Sequence, residues 1–174
     1  YSLLQATTGL RLQDTLGLTP EAAVGRAGAT LTATALTMVF AQGILVGRLG
    51  WPPYRLLAAG AALALAAMLG LVFAPNYPVF LAAMATLGLG LGLLLPGNLA
   101  ALSLATGVGA QGKVAGINAI GHGLGLVLGP ILGTALYQKT PVAPALGGTI
   151  LIAGICLLTA IIAARHTTAR GKTA

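Results

Sequence analysis

Two groups of residues have types and spacings that could do chemistry. The first lies in "ATGVGAQGKVAG", residues 105 to 116, where Gly107, Gly109 and Gly112 follow a G-x-G-x-x-G spacing and Lys113 comes directly after the last glycine. That pattern can cradle phosphates on free backbone N–H groups at a helix start. The second is a sparse set of polar side chains in otherwise apolar sequence: Gln42, Asn98, Asn118 and His122. Amides and an imidazole in such surroundings can hydrogen-bond a small solute, and the imidazole can also carry a proton.

Each group works only if the right elements position it. A phosphate loop must leave a buried strand and open a helix. Residues 77 to 106 before the glycines are instead rich in Ala, Leu and Gly, with few β-branched residues, and read as helix. Val114 stands where a Ser or Thr hydroxyl would hold a metal. The acids Asp14 and Glu21 lie upstream, while a dinucleotide site needs one downstream. The stretch therefore reads as a glycine-rich turn between helices, with no nucleotide and no other cofactor.

The helices around it are of membrane type. Hydrophobic residues make up 57% of the chain and charged residues 6%, with a mean hydropathy of +0.95, against roughly 45 to 50% and 25% in soluble domains. Segments 27–49, 55–74, 77–105, 112–137 and 142–164 are each long enough to span a bilayer. None shows the alternation of a transmembrane barrel. The expected fold is an all-α integral membrane bundle, forming one membrane domain over residues 1–174.

Charge gives the orientation. The net charge of +7 is scattered over the connections, with no basic groove interleaved with aromatics, so nucleic acid is not an expected partner. With the N-terminus outside, Arg48, Arg55, Lys113, Arg165, Arg170 and Lys172 fall inside, and Arg11, Arg26 and Lys139 outside. The positive-inside rule then places a cytoplasmic C-terminus in a plasma (cytoplasmic or inner) membrane. The opening "YSLLQATTGL" resembles the last turns of a span, which suggests a piece of a longer chain. Residues 11–28 are expected to form an external loop ending in a helix start, with Thr19 as N-cap and Pro20 at the first helical position. The single cysteine, Cys156, excludes an internal disulfide.

Two motifs resemble those of the major facilitator superfamily. In "QGILVGRLGWPPYRLL", Gly43, Leu45, Arg48 and Gly50 match its cytoplasmic loop motif, while Gly47 replaces the usual Asp. In "GLVLGPILGTAL", Gly125, Gly129, Pro130 and Gly133 are similar to a signature of its drug antiporters, with Thr134 in place of the final glycine. The resemblance implies the second six-helix half of such a transporter, from the end of helix seven through helix twelve. It further implies efflux of a small-molecule substrate by alternating access, with protons as a candidate coupling ion. The partners would then be the lipid bilayer and a missing N-terminal half. No enzyme activity is expected: Ser103 has no acid partner within the membrane, and no metal-ligand set is present.

The residues also support physical readings of their own. Gly121, Gly125, Gly129 and Gly133 recur every four residues, giving one helix a bare ridge that should lie against a partner helix, while Pro130 bends it. Such a ridge suits either a rocking contact or static close packing. Asn118 and His122 share a face of that helix, and Asn98 follows Pro96 and Gly97, where the third span should kink. His122 reads either as a substrate or proton contact or as a structural histidine bonded to a neighbouring helix. Gln42, Asn98 and Asn118 read as cavity lining or as interhelical hydrogen bonds, and Thr30, Thr34 and Thr37 as a packing stripe. With no Asp or Glu between residues 27 and 164, proton coupling would have to use His122 or an acid elsewhere. A non-transporting membrane scaffold is the alternative function.

Overall fold

The computed structural model describes residues 1–106 and 110–170, with side chains described as far as residue 160. Every element in this range is helical: α1 (Ser2–Leu16), α2 (Pro20–Phe40), α3 (Val46–Leu49), α4 (Pro53–Val72), α5 (Tyr77–Thr106), α6 (Gln111–Tyr137) and α7 (Ala143–Arg170). A π-helical turn, Ala41–Leu45, joins α2 to α3 without a break. Five helices are long and apolar enough to cross a membrane: Pro20–Leu49, Pro53–Val72, Tyr77–Thr106, Gln111–Tyr137 and Ala143–Ala160.

Local chemistry sets the ends of these helices. Gly17 closes α1 in the left-handed conformation at φ 60°, and its N–H donates to the Gln13 carbonyl. Thr19 then caps α2, its Oγ1 accepting from the Ala22 N–H at 3.4 Å, with Pro20 at the first helical position. Gly50, at φ 56°, ends α3, and Pro52 and Pro53 start α4. Asn76 Oδ1 accepts from the Val79 N–H at 3.1 Å and caps the start of α5.

α5 forms the spine of the bundle, because its glycines let two helices approach its backbone. At about 100° per residue, Gly88 and Gly92 lie about 40° apart, and Gly90 lies about 200° from Gly88. The first pair meets α2. A Cβ at Gly88 would overlap the Thr34 carbonyl and Thr37 Oγ1, and one at Gly92 would come 2.6 Å from Ala41 Cβ. The opposite face meets α4. A Cβ at Gly90 would lie 2.7 Å from Ala64 N, and one at Gly60 would lie 2.6 Å from Leu94 N. Thr37 Oγ1 donates to the Ala85 carbonyl at 2.8 Å, adding an interhelical hydrogen bond. The apolar core is built on Leu12, Met68, Leu71, Phe80, Met84 and Leu87, while Leu36, Phe73, Leu104 and Ile150 face outward. Outward apolar residues suit a bundle whose solvent is lipid, where small residues allow the close packing.

Of the external loop expected over residues 11–28, residues 11–16 are instead helical, as the end of α1, while Gly17, Leu18 and Thr19 are not, and the long helix begins at Pro20, at the expected Thr19 cap. Of the charged groups there only Arg11 is buried, with its Nε left without a hydrogen-bond partner, while Asp14, Glu21 and Arg26 remain exposed. Arg11 is 5% exposed: its guanidinium donates to the Leu71 carbonyl and lies 5.2 Å from the centre of the Phe80 ring. Asp14 accepts a hydrogen bond from the Tyr137 hydroxyl. Two residues expected in water thus tie α1 to α4, α5 and α6.

Candidate functional site

Gln42, Asn98, Asn118 and His122 come from three parts of the chain and line one cavity of about 720 Å³. Gln42 lies in the π-helical turn, Asn98 on α5, and Asn118 and His122 on α6. Leu95, Pro96, Leu99, Leu102, Ile117 and Gly121 complete the lining. It is an open depression on the bundle rather than an enclosed chamber, with a mostly apolar wall and a few polar groups.

Each polar group has a local reason for its position. A π-turn accommodates one more residue than an α-turn, so the chain after Phe40 departs from the regular progression and presents Gln42 to the cavity. Pro96 lacks the N–H that would bond to the carbonyl of residue 92, which loosens α5 one turn before the Asn98 region. Gly97 seats this part of α5 against α4: a Cβ there would lie 3.0 Å from Leu56 Cβ. Asn98 Nδ2 donates to Asn118 Oδ1 at 3.5 Å, a long contact that joins α5 and α6 across the cavity floor. Among the described residues no hydrogen bond holds His122, which is exposed to the cavity.

The threonine stripe points elsewhere. Thr30 and Thr34 are buried, donating to the carbonyls of Arg26 at 2.7 Å and Thr30 at 2.9 Å, and Thr37 reaches α5. They pack. On α6, the glycine ridge divides between two environments. Gly129 and Gly133 lie against Ser2 and Leu3 of α1, where a Cβ at either would overlap α1. Ser2 Oγ donates to the Gly125 carbonyl at 2.5 Å. Gly121 and Gly125 themselves have open space where a side chain would go, and Gly121 borders the cavity. Pro130 lies inside the helix between the α1-contacting glycines. Along the same ridge, therefore, part of α6 is covered by α1 and part faces the cavity.

The loop-motif residues follow the cavity directly. Gly43 lies in the π-turn, Arg48 is exposed on α3, and Gly50 needs its glycine for the positive φ. Of the glycine run that resembles a phosphate loop, Gly107 and Gly109 lie outside the described residues. Gly112 and Lys113 occupy the first turn of α6, and the residues before the run are the helix α5. No group of three or more His, Cys, Asp or Glu close enough for a metal occurs among the described residues.

Sequence reasoning missed Arg11 and the two-sided glycine packing of α5. Arg11 gave a misleading signal, since a lone charge near a chain end reads as solvated. The alternation of Gly88, Gly90 and Gly92 was a readable signal, because residues two apart on a helix point to nearly opposite sides.

A multi-pass helical membrane protein with a mostly apolar cavity, carrying a few polar groups, between its long helices is the class that these features define. The sequence profile of the Major Facilitator Superfamily matches residues 1–173. The chain belongs to that superfamily, whose members are transporters. No curated protein and no solved structure matches it.

Proposed function

We propose that the chain forms the second six-helix half of a secondary active transporter that exports a small molecule by alternating access. The cavity beneath Gln42, Asn98, Asn118 and His122 is the substrate path. The observation that carries this reading is their convergence: polar side chains from three separate parts of an otherwise apolar sequence, with Asn118 and His122 on one helix, line one cavity. Polar groups at membrane depth are costly, and function is the usual reason for gathering them. The efflux direction and the antiporter type rest on the likeness of the α6 glycine-proline stretch to the drug-antiporter signature. The same reading puts the C-terminus in the cytoplasm of a plasma-membrane protein and pairs this half with an N-terminal one.

Cysteine accessibility tests it. In a Cys156→Ser background, His122→Cys should react with a membrane-impermeant maleimide supplied from either side, because a cavity that alternates opens to each face in turn. Labelling from one face only, or from neither, would overturn the reading and favour a static scaffold.

A further inference from the structure

Charged side chains also gather at the end of the bundle remote from the cavity, where they take no part in the substrate path. Arg11 and Asp14 lie three positions apart on α1, a spacing at which opposite charges on a helix can pair. Here each reaches other helices instead. The Arg11 guanidinium donates to the Leu71 carbonyl near the end of α4 and lies 5.2 Å from the centre of the Phe80 ring on α5. Asp14 accepts from the hydroxyl of Tyr137, the last residue of α6. Tyr137 is 15 positions along α6 from His122, or about 22 Å of helix.

The present partners leave Arg11 incompletely satisfied. It is 5% exposed, and its Nε has no hydrogen-bond partner. A buried cation in that condition is costly, while Asp14, an acceptor of opposite charge, stands exposed one turn along the same helix. If α1 draws away from α4 and α6, Arg11 gives up a carbonyl and a ring and gains a carboxylate and solvent. Asp14 gives up a hydroxyl and gains the guanidinium. Partners are exchanged rather than lost, which keeps two arrangements of α1 close in free energy. The joint for such a movement is present, since Gly17, Leu18 and Thr19 between α1 and α2 are non-helical.

Resting on the transport reading, we propose that Arg11 and Asp14 form a partner-exchange latch on α1. In the arrangement seen here they fasten α1 to α4, α5 and α6. In the released arrangement they pair with each other, and the end of the bundle remote from the cavity loosens. The latch controls access and does not touch the solute.

The test uses protein produced from its complete coding sequence, in nanodiscs and in a Cys156→Ser background, with nitroxide labels at Leu10→Cys and Phe73→Cys. Both positions are exposed, one on α1 beside Arg11 and the other at the end of α4. Double electron–electron resonance should resolve a near and a far population. Tyr137→Phe removes a partner used only in the fastened arrangement and should raise the far-to-near ratio about tenfold. Asp14→Asn keeps an acceptor for the tyrosine hydroxyl but removes the charge that the released pair needs, so it should lower the ratio about threefold. Each variant is compared at equal monodispersity. A merely structural cluster would loosen in both variants, and any result other than opposite shifts overturns the latch.

Labelling of His122→Cys from the two faces, in protein without the nitroxides, separates the latch from the transport reading. Labelling from both faces without opposite shifts would refute the latch and leave the transport reading standing. Opposite shifts with labelling from one face only would uphold the partner exchange and refute transport.

Discussion

Helices α5 and α6 are both rich in glycine, and they use it in opposite ways. On α5, Gly88, Gly90 and Gly92 are covered from two sides, leaving no room for a Cβ. On α6, Gly112, Gly116, Gly121, Gly123 and Gly125 have open space where a side chain would go, and the backbone meets another helix, α1, from the Gly125 carbonyl to Gly133. One glycine-bearing helix is a fixed spine, while the other is a surface filled in part. The difference teaches that glycine content alone does not distinguish cohesion from clearance in a membrane bundle. What distinguishes them is whether a neighbouring backbone lies within reach of the missing side chain.

Substitutions can break this contrast, and the largest effect is expected at the spine. Gly90→Leu would drive a side chain into the α4 backbone at Ala64 and Gly60, costing more than about 3 kcal/mol, the upper end for overpacked cores. Loss of the monodisperse peak in size-exclusion chromatography is the expected outcome, whereas Gly125→Leu on the open ridge should retain it. Equal tolerance at both positions would remove the distinction.

Next in size is Gly129→Leu, where the new side chain collides with Ser2 at the one well-covered part of α6. A local collision between α1 and α6 should leave membrane insertion intact and abolish transport, if these two helices must move past each other. Transport at matched membrane abundance checks this. Full activity would make the contact a static one.

Arg11→Ala should cost about 1 to 3 kcal/mol, because the Leu71 carbonyl loses a charged donor and the Phe80 face loses its cation. A thermal melt of the detergent-solubilised protein would register the loss. An unchanged melt would mean that the Leu71 and Phe80 contacts of Arg11 contribute nothing net to stability. The smallest effect is expected for Gly121→Ala, which should stabilise by about 0.5 to 1 kcal/mol through helix propensity where the space is free. Destabilisation in the intact protein would mean that another helix covers this face.

How much of this could be read from the sequence depended on the kind of signal. The five apolar segments, the Thr19–Pro20 helix start and the polar set Gln42, Asn98, Asn118 and His122 are visible because each departs sharply from its local composition. The meeting of those four in one cavity is not visible, since it depends on which helix faces of three elements converge. Within the stretch 11–28 the helix start at Pro20 is found, whereas the loop expected before it is not, since α1 runs to Leu16. Arg11, Asp14 and Arg26 look soluble one by one, yet the bundle supplies a carbonyl and a ring, a tyrosine hydroxyl, and a second ring in Tyr77, 5.1 Å from Arg26. Sequence reports a residue's needs, and only the fold reports what is within reach.

The π-turn at Ala41–Leu45 is, in register, a one-residue insertion absorbed without a loop. Deleting Ile44 would allow an ordinary helix to run from Pro20 to Leu49 with both flanks intact. Relative to α2, α3 would then keep nearly its present direction, because the wider turn that holds the extra residue is what the deletion removes. Gln42, inside the turn, would be re-aimed, while Arg48 on α3 would stay close to its present face. The aim of Gln42 into the cavity is thus set by a count of residues, and length variation in this short stretch would alter the cavity wall while leaving the helices on either side in place.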